Sequence, residues 1–226
     1  MKVICWDFDG TLVYSESLWS SSVLTALNET DNNHNILLDD IRKYMATGFT
    51  WHTPDKDHHT LTGENWWKYM NNHFYNIYLN LGVIPSIANE ACNKIRNVIK
   101  RKENYSLYQD TVETLKTAKE RDYKNIILSN NYPDLIEVIE QLGMYHLFNN
   151  FVISAIVGYD KPRNEIFEFA KDLYPHSKEF FMVGDSIPAD IIGGKNSKMK
   201  TILVHKGYNE SADYCFNDLH SICSIL

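Results

Sequence analysis

Two carboxylates, Asp7 and Asp9, stand one residue apart directly after the apolar run Val3–Trp6, and Gly10 and Thr11 follow them. Both can face one site if the chain turns just past the run, and Gly10, lacking a Cβ, permits such a turn. A carboxylate placed there can attack phosphorus while its neighbour handles protons. An acidic turn that merely caps a helix would read the same way in sequence.

Three further segments carry polar residues just beyond short apolar runs. Ser129-Asn130-Asn131 follows Ile126–Leu128; a hydroxyl and the succeeding amides near a helix start suit a phosphate oxygen, although Ser and Asn are also ordinary N-caps. Lys161-Pro162 comes after Phe151–Ile153. Its ammonium can neutralise charge on a nucleophile and a phosphoryl group, or can be a solvated surface lysine. Gly184-Asp185 follows Phe180–Val183, with Asp190 about a turn into the next helix. Asp185 is a hard oxygen ligand of the kind magnesium prefers, and Asp190 either joins the site or complements a helix dipole. Acidic side chains crowded together repel one another, so their convergence predicts a bound divalent cation.

The runs Val3–Trp6, Ile126–Leu128, Phe151–Ile153, Phe180–Val183 and Thr201–Val204 lack polar alternation, as expected of parallel strands covered on both faces. Between them, Leu135, Ile136, Val138, Ile139 and Leu142 share one helical face, as do Ile166, Phe167, Phe169, Ala170 and Leu173; Gly143 stops the first helix. Alternating strands and helices predict a doubly wound, Rossmann-like α/β core with a parallel sheet. All four polar segments then fall at the C-terminal strand edge, where such sheets bind ligands. Residues 15–105 break the rhythm with no convincing strand. They predict an α-helical domain inserted after the first strand, with helices over Glu64–Leu81 and Ile87–Lys102 and loops at Asp31–Asn35 and Thr47–Thr62. Residues 1–14 and 106–226 are left to form the core.

At 226 residues the chain can hold one core with a smaller insertion. A net charge of -7 speaks against nucleic acid as the main partner. Cys5, Cys92, Cys215 and Cys223 form no CxxC pair or zinc spacing, and Cys5 reads as a small core hydrophobe, so a reduced, cytoplasmic setting is expected. The short apolar start, broken by Asp7, resembles neither a signal segment nor a membrane span. The oligomeric state is not legible.

The ordered set Asp7-x-Asp9-Gly10-Thr11, Ser129, Lys161-Pro162 and Gly184-Asp185 with Asp190 resembles the haloacid dehalogenase-like hydrolase superfamily. The resemblance covers residues 1–14 and from about 105 to 204, and the insertion is similar to the helical cap of the phosphoglycolate-phosphatase-like branch. It implies that Asp7 is the nucleophile and a magnesium ligand, and that Asp9 is the general acid and base, its main-chain carbonyl also facing the metal. It implies further that Ser129 and the amides around Asn130 hold the phosphoryl group and that Lys161 positions Asp7. Asp185 would complete the protein's metal ligands, Asp190 would stand behind them, and Gly10 and Thr11 would shape the phosphate pocket. The expected reaction is magnesium-dependent hydrolysis of a small phosphorylated metabolite through an aspartyl phosphate. A phosphomutase shares all four motifs. Halide-displacing members do not need an acid at the position of Asp9, which disfavours a dehalogenase, and the intact acidic set disfavours a silent binding module. Tyr14 and Arg163 stand where relatives often carry acidic residues, which bears on the subfamily.

Within the insertion, Trp66 and Trp67 suit either a pocket lining or, more often, a core. The stretch His52-Thr53-Pro54-Asp55-Lys56-Asp57-His58-His59 has no standard metal-ligand spacing and reads as a solvated loop. Lys100-Arg101-Lys102 could attract an anion, or be a charged helix end facing water.

Overall fold

The structure, a computed structural model, describes residues 1–15 and 17–226. All five expected apolar runs are strands: β1 (Lys2–Trp6), β4 (Tyr123–Ser129), β5 (Asn150–Ile153), β6 (Glu179–Gly184) and β7 (Lys200–Val204). With β8 (Tyr214–Phe216) they form one sheet in the order β5-β4-β1-β6-β7-β8, every pair parallel. The strand β8 was not expected, because three partly covered residues show no periodicity of their own. β1 lies at the centre, so Val3 to Trp6 are all fully buried. Among them the Cys5 thiol has its pKa pushed up to about 12 by burial, which leaves it an inert hydrophobe. Trp6 donates its indole N–H to Asn125 Oδ1 at 3.1 Å, and the Asn125 amide donates in turn to the Leu115 and Leu147 carbonyls, so this buried polar pair is satisfied.

Register fixes what emerges at the sheet edge. Trp6 pairs with Ile127 on one side and Val183 on the other, so Asp7, Ser129 and Asp185 all leave the sheet at its C-terminal edge. The chain proceeds from β1 through β4 to β5 in one direction and through β6, β7 and β8 in the other. The order therefore reverses beside β1, which is where an open α/β sheet opens a crevice.

Around the sheet lie α5 (Thr111–Glu120), α6 (Leu135–Gln141), α7 (Ser154–Val157) and α8 (Asn164–Asp172). α8 buries Ile166, Phe167 and Ala170, but Phe169 and Leu173, expected on the same face, are 45% and 44% exposed. Phe169 falls off the i, i+1, i+4 stripe, and Leu173 lies past the helix end.

The chain leaves and re-enters the core through a two-stranded antiparallel ribbon, β2 (Val13–Tyr14) against β3 (Ser106–Leu107). Between them stand α1 (Leu18–Asn28), α2 (Leu38–Met45), α3 (Glu64–Asn80) and α4 (Pro85–Ile99), with no strand among the described residues. α3 buries Trp66, Trp67, Met70, Phe74, Ile77 and Tyr78 at spacings of one, three and four. Pro85 opens α4, whose buried stripe begins with Ala88 and Ala91. α1 escaped the sequence reading because its buried face includes Ser20 and Ser22, which blur the apolar period. α4 stops short of the expected Lys102, and a 3₁₀ turn follows it. Lys100 and Arg101 pair with Glu137 at 2.9 Å and Glu29 at 2.6 Å, so the first two residues of the basic run are engaged within the protein. Among the described residues no helix is long and apolar enough to cross a membrane.

Candidate active site

Asp7 is the first residue past β1, and its backbone N–H still donates to the Val183 carbonyl at 2.9 Å, which fixes its stem between two strands. Ser129 Oγ, at the end of β4, donates to Asp7 Oδ1 at 2.8 Å. Lys161 Nζ reaches the same oxygen at 2.9 Å. Both donors sit on Oδ1, and Oδ2 has no protein donor among the described residues. One oxygen is anchored; the other is available.

Lys161 is no surface lysine. It is only 2% exposed, and its ammonium also meets Asp190 Oδ1 at 2.6 Å. Burial by itself would discharge it, but the Asp190 and Asp7 carboxylates outweigh that effect and raise its pKa. Asn130 holds the segment in place: its amide donates to the Lys161 carbonyl at 2.9 Å, and its Oδ1 accepts the Lys161 N–H at 2.6 Å.

Asp190 is fully buried. Residues Ile187–Ile192 form a wide π-type turn in place of the expected regular helix, with Ile191 N–H donating to Ser186 O at 3.2 Å. That turn brings Asp190 back toward β6, where its Oδ2 accepts the Ser186 N–H at 3.0 Å. Burial pushes its carboxyl up, and the contact with Lys161 opposes this. A methyl group on Gly184 would overlap the Asp190 carboxylate. Gly184→Ala is therefore expected to cost about 1–3 kcal/mol of stability and to lower activity, because Asp190 and Lys161 must shift together. Chemical denaturation beside an activity assay checks it; an unperturbed variant would show that the packing here is slack.

Asp9 lies on the other side of the opening. Asn131 Nδ2 donates to its Oδ2 at 2.7 Å, while its Oδ1 is buried without a partner. Burial first, then the negative charge of Asp7, pushes the Asp9 carboxyl up to about 7, against the opposing Asn131 hydrogen bond. Nothing in the string Ser129-Asn130-Asn131 says which amide turns toward which acid, so the role of Asn131 is not legible in sequence.

Asp185 leaves β6 beside Asp7. Its pKa is raised by burial and by Asp7, although Lys206 lies 3.2 Å away. Gly10, at φ +79°, admits this approach: a methyl there would lie 2.6 Å from Asp185 Oδ2. Thr11 is fully buried behind the turn, its carbonyl accepting from His205 Nε2 at 3.1 Å. Neither Gly10 nor Thr11 lines the opening.

Asp7, Asp185 and Asp190 each offer an oxygen within 4.8 Å of the others, the one such group of metal-ligating side chains among the described residues. Asp190 commits both oxygens to Lys161 and Ser186, which leaves Asp7 and Asp185 as the carboxylates of this group that face the site. This all-oxygen donor set suits a hard divalent cation, magnesium before zinc.

A cavity of about 470 Å³ opens over Asp7, Asp9, Ser129, Asn130, Lys161 and Asp185, and Trp51 and Pro54 are the insertion's part of its wall. Trp66 and Trp67 are 0% and 2% exposed and line no part of it. The tryptophan that does is Trp51, in a 3₁₀ turn before the His52–His59 stretch. Within that stretch His59 pairs with Asp57 and His58 meets Thr53 Oγ1 at 3.0 Å, with no metal cluster among the described residues there.

The sequence model of the haloacid dehalogenase-like hydrolases matches residues 1–198, and the chain belongs to that family. An uncharacterized hydrolase of Schizosaccharomyces pombe is 24% identical over 95% of this chain and 90% of its own. The glyceraldehyde 3-phosphate phosphatase of Methanothermobacter thermautotrophicus is 32% identical, but the match spans 46% of this chain and 47% of that one. Among solved structures, a haloacid dehalogenase-like hydrolase of Bacillus subtilis bound to magnesium superposes with a TM-score of 0.78 at 20% identity, covering 100% of this chain and 98% of that one. That likeness shows the α/β core with its helical insertion.

Proposed function

We propose that the chain is a magnesium-dependent phosphoric monoester hydrolase that cleaves a small phosphorylated metabolite through an aspartyl phosphate on Asp7. The observation that carries this reading is the Asp7 carboxylate itself, anchored by Ser129 and Lys161 on Oδ1 and open on Oδ2. Asp7 Oδ2 attacks phosphorus as the ester oxygen departs on the opposite side. Asp9, half-buried with its Oδ1 out of solvent and its pKa raised toward neutrality, gives its proton to that oxygen. As a carboxylate it then takes a proton from water, whose oxygen attacks phosphorus and breaks the bond to Asp7. Phosphate leaves, and both aspartates return to their starting state.

Ser129 and the amides around Asn130 would hold the phosphoryl oxygens, and Lys161 offsets charge on Asp7 without entering the chemistry. Asp7, the Asp9 carbonyl and Asp185 would hold magnesium, with Asp190 behind them; the ion supplies positive charge against the repulsion between phosphate and carboxylates. Residues 15–105 would act as a cap over this opening, with the core formed by residues 1–14 and 106–226.

Removing divalent metal with a chelator is expected to abolish release of phosphate from an aryl phosphate, and magnesium should restore it. Turnover unaffected by chelator would overturn the metal dependence.

A further inference from the structure

A second cavity of about 250 Å³ adjoins the first and shares Asp9, Trp51 and Asn130 with it. Because Asp9 is the proposed proton donor to the leaving oxygen, this hollow marks where the alcohol half of the substrate lies. Its remaining wall includes Leu18 and Trp19 from α1. Trp51 is half-buried and backed by the Phe49 ring, 4.6 Å away and nearly parallel, and by Trp66 at 6.1 Å. It is a fixed aromatic surface: stacking on other rings holds its orientation, and its remaining surface borders both cavities.

Charge is as informative as shape. Among the described residues, the helical insertion contributes no lysine, arginine or histidine to either cavity. The one cation in the lining, Lys161, is already bound to Asp7 and Asp190. A second phosphate or a carboxylate on the leaving group would thus stand beside Asp9 with no free cationic side chain in the lining to pair with it.

We infer that the site selects phosphomonoesters whose alcohol is uncharged and carries a ring-bearing body that packs on Trp51, a nucleoside being the fitting class, over esters with a second anionic group. This rests on the phosphatase reading above and names its substrate class. It also disfavours the mutase alternative, whose bisphosphate would need a second anion site.

The test is steady-state release of phosphate, with magnesium, from uridine 5′-monophosphate, 2-phosphoglycolate, a hexose 1,6-bisphosphate and acetyl phosphate. The nucleotide is expected to exceed both doubly anionic esters in kcat/KM by at least about tenfold. Trp51→Ala should lower the ratio of kcat/KM for the nucleotide to that for acetyl phosphate by about tenfold, chiefly through KM. Trp51→Phe should recover most of it. A wild-type enzyme that favours phosphoglycolate or the bisphosphate overturns the inference and leaves the phosphatase reading intact, as does an unchanged ratio in folded Trp51→Ala. Absence of turnover on the three esters and on acetyl phosphate, an acyl phosphate, overturns the phosphatase reading itself.

Discussion

Asp7→Asn is expected to lower phosphate release by at least about 10⁴-fold while leaving the protein folded. The amide oxygen can still accept from Ser129 and Lys161, as Asp7 Oδ1 does now, so the anchoring survives. What is lost is the second carboxylate oxygen, which an NH2 group cannot replace as a nucleophile. Stability should change by no more than about 1 kcal/mol, since the lost attraction to Lys161 is offset by relief of repulsion among Asp7, Asp9 and Asp185. Two measurements decide it. Acid-quenched wild-type enzyme should carry phosphate on Asp7 and the variant none, and denaturation midpoints should nearly coincide. A variant retaining a tenth of the activity would remove Asp7 from the nucleophile's role.

Lys161→Met should damage fold and chemistry together. The methionine fills much of the same space but leaves Asp190, fully buried, without its cation. Breaking a buried pair by removing one partner costs about 3–5 kcal/mol, far more than the pair contributes when intact. Activity should fall by about 10²–10³-fold, because the charge opposite Asp7 disappears. Lys161→Met combined with Asp190→Asn separates the two effects. The double variant should regain a large share of the lost stability, since the fully buried residue 190 no longer carries an unpaired charge, yet remain as inactive as the single one. Denaturant titration of both variants measures this coupling. If the double variant is no more stable than Lys161→Met alone, the stability loss comes from packing and not from the orphaned carboxylate.

The strand positions were legible because a fully covered parallel strand must be continuously apolar, and Val3–Trp6, Phe180–Val183 and their companions are. The short strands β2, β3 and β8 were not, being too brief to carry a period. Helix α3 announced itself through large residues at helical spacing, whereas α1 hid behind its buried serines. The basic run at Lys100–Lys102 showed charge without showing Glu137 and Glu29, acids distant in sequence that pair with its first two residues.

For the site, local sequence is enough to say which groups reach the C-terminal sheet edge, because each key segment follows an apolar strand or leads into the next helix. Asp7, Asp9, Ser129, Lys161 and Asp185 follow from that local rule. Long-range packing sets how they divide their hydrogen bonds: Lys161 is buried between Asp7 and Asp190, a π-type turn and a side-chain-free Gly184 bring Asp190 inward, and Asn131 rather than Asn130 turns to Asp9. It alone decided that Trp51, and neither Trp66 nor Trp67, borders the cavity. The difference is one of range. Periodicity and strand ends are set by neighbours a few residues apart, whereas a side chain's partner can come from anywhere in the chain and is chosen when the core closes.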